Sequence, residues 1–200
     1  MKKLESSLMN MVLVLTGVAV IMGGILAYVN HLTEEPIAEQ RKKTLADGIK
    51  TVMQAENITV SKTDTLYQIN AKGKEEVFVI YNNEKGAAVE SITDGFGGKL
   101  RVLVGFNPEG KILGYTLLEH AETPGLGAKA DKWFQEGEKG NIVGLTPSNP
   151  LVVTKDGGQV EAITASTITS RAFLKAINNA YSAYMVKPVD ADGSHKTSEK

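Results

Sequence analysis

Between Glu161 and Ser170 the chain reads EAITASTITS, and five of the seven side chains from Thr164 to Ser170 are hydroxyls, set directly before a long amphipathic segment. Ser and Thr in such a place cap a helix, because their oxygens accept hydrogen bonds from the unsatisfied amides of its first turn. One or two would suffice for that. The surplus suggests a second use: exposed amides, hydroxyls and the positive end of a helix dipole also hold a phosphate. Two glycine-bearing stretches offer related chemistry, DGFGG at residues 94–98 and HAETPGLG at residues 120–127. In the second, Pro124, Gly125 and Gly127 let backbone approach a flat ligand closely, and Leu126 offers it an apolar contact. The alternative for His120 and Glu122 is a loop held by its own hydrogen bonds. Trp133 and Phe134 either stack on the same ligand or pack the core side of a short helix.

Better-known motifs fail on context. Gly125, Gly127 and Ala130 fit G-x-G-x-x-A, but Pro124 interrupts the strand that a dinucleotide fingerprint needs, and residues 145–150 supply no acid. Lys99 follows Gly98, yet Thr93 and Leu100 occupy the positions where a phosphate-binding loop needs glycine and Ser or Thr. His120 and Glu122 are too few ligands for zinc, and no H-E-x-x-H occurs, so no metal site is expected.

The elements that must position these stretches are read from periodicity. Strand-like runs cover residues 65–69, 76–81, 87–92, 100–106 and 112–119, and Asn107-Pro108-Glu109-Gly110 is a turn signal that makes the last two a hairpin. DGFGG and HAETPGLG flank that hairpin and therefore meet at one edge. Residues 130–136 read as a short helix and 151–153 as a short strand. Thr169 is expected to cap a helix over residues 171–186, with Phe173, Leu174, Ile177, Tyr181, Tyr184 and Met185 on one face. Helices around a mostly antiparallel sheet make the fold α+β.

Residues 11–29, MVLVLTGVAVIMGGILAYV, carry no charge and approach the ~20 residues that cross a bilayer as a helix. The run is longer than the ~7–15 apolar residues of a cleaved signal and lacks a clear small-x-small site, so an uncleaved anchor is expected. Its glycines, Gly17, Gly23 and Gly24, are small enough for partner helices to approach. Lys2 and Lys3 precede the span while Glu34 and Glu35 follow it, which keeps residues 1–10 in the cytoplasm and the rest outside. After the span, Thr33 is the expected cap and Pro36 an early position of an amphipathic connecting helix over residues 30–57. Its Arg41, Lys42 and Lys43 form a solvated face, or one that meets lipid headgroups. A single domain then occupies residues 58–187, and residues 188–200 read as a disordered polar tail. The 200 residues carry a net charge of −1 and no cysteine. A nucleic-acid partner is therefore not expected, and disulfides, thiolate chemistry and cysteine-held clusters are excluded.

Taken together and in order, HAETPGLG, DGFGG and EAITASTITS resemble the H-x-E-T-P-G-L-G signature, the G-Y-G-G segment and the flavinylation motif of the FMN-binding domain family. The likeness runs from the anchor to the last helix. Within that family it is greatest to the G subunits of Rnf-type ion-translocating ferredoxin:NAD oxidoreductases, and less to the usually longer C subunit of sodium-translocating NADH:quinone reductases. A membrane-anchored assembly module without cofactor is the alternative of a different class. The resemblance implies FMN bound covalently through a phosphoester to Thr167, attached by an ApbE-type flavin transferase. It also implies electron relay, with no catalytic residue of the chain's own, beside other subunits of a complex in the bacterial cytoplasmic membrane. On the same basis Glu161, Thr164, Ser166 and Thr169 belong to the phosphate end of the site. His120, Glu122, Thr123, Pro124, Gly125, Leu126, Gly127, Gly97 and Gly98 belong to the ring end. Thr164, Thr169 and nearby amides would donate to the phosphate, and backbone donors of the ring end would tune the reduced flavin. Three departures stand out: Glu161 replaces aspartate, Ala165 glycine and Ser166 alanine, so that Ser166 becomes a neighbouring competing hydroxyl.

Overall fold

A computed structural model describes residues 8–55, 58–69, 73 and 75–186. The chain forms two compact units, residues 1–44 and residues 45–200. The expected tail and the first seven residues, Lys2 and Lys3 among them, lie outside the described residues.

The first unit is helical. Helix α1 runs over Leu8–Val52, and its apolar stretch is long enough to cross a membrane and is buried by nothing among the described residues. No break separates the expected span from the expected connecting helix. Thr33 is not a cap: its hydroxyl donates to the carbonyls of Val29 and Asn30 at 3.0 and 3.1 Å, a bond made inside a helix. Pro36 lies within the helix, where its missing N–H leaves the carbonyl four residues back without its usual donor.

The second unit is an α+β domain. Five strands, β1 (Lys62–Ile69), β2 (Glu75–Asn83), β3 (Gly86–Asp94), β4 (Lys99–Phe106) and β5 (Ile112–Glu119), form an antiparallel sheet in sequence order. The turn after β4 closes as its residues require: Gly110 takes φ +79°, the amide of Lys111 donates to Asn107 Oδ1 at 2.8 Å, and the Gly110 amide to the Asn107 carbonyl at 2.9 Å.

Alternation along β3 and β4 fills a core on each face of the sheet. Ala87, Val89, Leu100, Val102, Val104 and Phe106 join the larger core with helix α3 (Thr167–Met185), whereas Ala88 and Leu103 join a smaller one with Ile49, Val52 and Met53. Phe173 anchors α3. It is fully buried, stacks on Phe134 at 4.3 Å between ring centroids, and meets Tyr115 edge-on at 4.7 Å. Burial of one such ring stabilises by about 1.5–3 kcal/mol. The Tyr115 hydroxyl donates to the Ala130 carbonyl at 2.6 Å and accepts from the Phe134 amide at 3.2 Å, which fixes the short helix α2 (Ala130–Trp133). Burial raises the Tyr115 pKa far above the usual phenol value, so that this hydroxyl stays protonated.

Two local expectations are corrected. Residues 151–153 form no strand, only a bridge from Val153 to Val160, because a 3₁₀ turn at Thr154–Asp156 bends the chain away. Helix α3 begins at Thr167 rather than after Thr169, and Ser166 holds the cap position without a side-chain capping bond.

Candidate functional site

The register brings the motif stretches together. Asp94 pairs with Lys99 across the β3–β4 turn, and Arg101 pairs with Glu119 at the end of β5, so residues 95–98 and 120–127 leave the sheet at the same end. The start of α3 reaches that end too. A cavity of about 390 Å³ lies among them, lined by Phe96, Glu122, Thr123, Leu126, Gly127 and Ala165 to Thr169, within the usual ~300–1,000 Å³ of small-molecule sites.

Glu122 joins the three walls. Its side chain is buried, one oxygen accepts the amides of Phe96 and Gly97 at 2.8 and 3.2 Å, and the other accepts the Thr169 hydroxyl at 2.7 Å. Buried charge is tolerated when its lone pairs are used in this way. The glycines give way to it: a Cβ on Gly95 would overlap Glu122 Oε1, and one on Gly127 would overlap Glu122 Oε2 and crowd Thr169 Oγ1 at 2.7 Å. Gly97 has the Ala121 carbonyl where its Cβ would stand. Gly125 differs, with open space around it and φ +76°.

On the other wall, Ala165 stands at φ +60°, in the left-handed region. This is the position where the resemblance expects glycine, and the backbone shows why. Helix α3 opens directly after, so its first amides lack intrahelical acceptors and point toward the cavity end of the helix. Thr167 is half-buried and lines the cavity, and the Lys155 ammonium donates to its Oγ1 at 3.2 Å. Ser166 also lines the cavity but is 8% exposed. The Ser170 hydroxyl points elsewhere, donating to the Ser166 carbonyl and accepting from the Ile163 amide.

Of the residues singled out from sequence, Glu122, Thr123, Leu126, Gly127, Ser166, Thr167 and Thr169 line the cavity. Gly97 contributes its amide to Glu122, and His120 Nδ1 accepts the Glu122 amide at 3.3 Å. Gly98, Pro124, Gly125, Glu161 and Thr164 are not among the lining residues. Glu161 instead receives the Trp133 indole N–H on its carbonyl at 2.8 Å, and Thr164 is exposed. Phe134 belongs to the core. Sequence reading passed over Phe96, Ile168 and Lys155 and met Ala165 only as a departure from the motif. Phe96 was visible inside DGFGG, whereas Lys155 lies in a stretch with no motif.

The arrangement suits a flat ligand with an anionic end. Phe96, Leu126 and Ile168 supply apolar wall, while the uncapped start of α3 and Lys155 supply donors and positive charge. Residues 95–182 match the family described as FMN-binding domain, a span that contains all three walls, and residues 1–52 match the one described as RnfG N-terminal region. Similar proteins include the G subunit of the ion-translocating oxidoreductase complex of Shewanella amazonensis, 31% identical over 88% of this chain and 87% of the relative. The proteins of the same description from Vibrio parahaemolyticus and Yersinia pestis are each 36% identical, over 78% of this chain and 79% and 80% of their own.

Proposed function

The chain belongs to the family of G subunits of ion-translocating oxidoreductase complexes, and from that premise we propose that it is a single-pass membrane subunit whose covalent FMN relays electrons within an Rnf-type complex. The observation that carries this reading is the convergence of three motif stretches on one cavity with Thr167 in its wall. Bound flavin supplies reversible electron uptake and release. The chain's own residues do the rest. Thr167 Oγ1 would be the ester oxygen: an ApbE-type transferase would take its proton, the oxygen would bond to the flavin-side phosphorus of a flavin dinucleotide, and the nucleoside monophosphate would leave with the electrons of the broken P–O bond. Thr167 is favoured over Ser166 because it is less buried and faces a cation.

Glu122 spends its oxygens on Phe96, Gly97 and Thr169, so its role is to hold the cavity walls. The apolar side chains exclude water from the ring. Helix α1 anchors the chain beside the other membrane subunits.

The test is the full chain coexpressed with a matching flavin transferase and separated by denaturing electrophoresis. An ester survives SDS, so the wild-type band is expected to fluoresce under ultraviolet light and the Thr167→Val band to be dark. Fluorescence retained in that variant refutes the site, and a dark wild-type band refutes the covalent cofactor.

A further inference from the structure

We propose that Lys155 is the cation that holds the flavin phosphate at Thr167, and that the Asp156–Arg171 ion pair is the brace that positions it. This deepens the covalent-flavin reading and rests on it.

Lys155 sits in the 3₁₀ turn Thr154–Asp156, outside every motif but just ahead of the EAITASTITS stretch in sequence, and it meets the start of α3 at Thr167. The turn is held tightly. The Thr154 amide donates to the Val160 carbonyl at 2.9 Å, those of Asp156 and Gly158 donate to the Val153 carbonyl at 2.9 and 3.1 Å, and Gly157 closes it at φ +85°. Asp156 then receives both Arg171 Nε at 2.7 Å and a terminal guanidinium nitrogen at 2.6 Å, a forked pair of good geometry. The same hydrogen bonds hold the Asp156 carboxyl below its ordinary value and push Arg171 up. Thr167 and Arg171 are one helical turn apart, so consecutive residues of the 3₁₀ turn touch consecutive turns of one face of α3.

The charges are unevenly used. Arg171 is matched by Asp156, whereas among the described residues Lys155 has no carboxylate within ion-pair distance and donates only to the Thr167 hydroxyl. An exposed lysine on a neutral hydroxyl contributes little to stability, so folding alone gives no reason for the placement. Phosphate does. Its non-bridging oxygens share a phosphorus with Thr167 Oγ1 and fall within reach of a flexible ammonium that has two donors to spare. The first amides of α3, without a side-chain cap, belong to the same helix end, but lysine supplies the full charge that neutralises a phosphodiester.

The experiment uses the full chain with its transferase and compares Lys155→Met and Lys155→Arg with wild type. It reads the rate of covalent flavin loading and the phosphorus NMR resonance of the loaded protein. Lys155→Met is expected to load roughly tenfold more slowly, a charged hydrogen bond discounted for exposure, and to show a displaced resonance; Lys155→Arg is expected to restore most of both. An unmoved resonance in loaded Lys155→Met overturns the proposal whatever the rate, as does loss of loading in both variants. Complete loss in Lys155→Met alone supports it. Asp156→Asn, which weakens the brace, should load at an intermediate rate, and a wild-type rate there overturns the brace. Thr167→Val separates the two levels: if it still loads, the covalent reading has failed, and if it is dark while Lys155→Met is unaffected, only the lysine has.

Discussion

Ala165 shows how one backbone angle explains a departure from a motif. At φ +60° a Cβ meets the following carbonyl, a cost of about 1–2 kcal/mol that glycine avoids. Ala165→Gly is therefore expected to stabilise the domain by about 1 kcal/mol, the strain relieved less the entropy glycine loses, read as a rise in the midpoint of thermal or urea unfolding. A fall would mean that Ala165 makes contacts outweighing its strain. Glu122 makes the opposite case. Glu122→Ala leaves two amides and the buried Thr169 hydroxyl without their acceptor and should destabilise by about 1–3 kcal/mol. Wild-type stability in that variant would show that water or a neighbour replaces the carboxylate. The role of Glu122 as an acceptor within a loop was legible from its residue type. Its partners at 96, 97 and 169 were not, because hydrogen bonds between segments leave no periodic trace.

At the scale of elements, the hairpin and its turn were readable because strand alternation and Asn-Pro-Glu-Gly are local signals, and β4 and β5 end within a residue of the expected bounds. The start of α3 was not. Thr169 has the type of a cap, but its hydroxyl is committed to Glu122, and the helix begins two residues earlier at Thr167. Helix α1 misled in the same way, since Thr33 and Pro36 look like a helix start and instead lie inside one. The two glycines of the HAETPGLG loop now separate in kind. Gly127 lacks room for a Cβ, whereas Gly125 has room but a left-handed φ. Gly127→Ala should therefore break the Glu122–Thr169 contact and lower the unfolding midpoint more than Gly125→Ala, which bears only strain of about 1–2 kcal/mol. Equal losses would show that the loop shifts to admit the new methyl. Gly125→Val adds a β-branched side chain at that φ, where it is least tolerated. We expect the purified variant to keep much of its covalent flavin, since Thr167 lies on another wall, but to change its visible spectrum and reduction potential. A wild-type spectrum and potential in the folded variant would mean that the loop does not touch the ring.

For the whole molecule, the question is which side of the membrane the 45–200 unit occupies. Composition gives no answer, since the whole chain's net charge of −1 and its lack of cysteine are compatible with either compartment. The expected orientation rests instead on the flanks of the apolar run. Lys2 and Lys3 lie nine and eight positions before its start, Glu34 and Glu35 follow its end, and basic residues close to a span resist translocation while acidic ones contribute little. The next basic residues, Arg41 to Lys43, stand 12 to 14 positions past the far end of the span, so the rule here sets two nearer lysines at the N-terminus against three more distant positive charges. The N-terminal pair prevails in the expected topology because it stands closer to the span. That balance makes the prediction sharp. Protease added to intact spheroplasts should digest the domain, and replacing Lys2 and Lys3 with Gln should shift part of the population to a protected form. Full protection of the wild type, with a cytoplasmic control also protected and an outward-facing control cut, would invert the topology and place the flavin site in the cytoplasm.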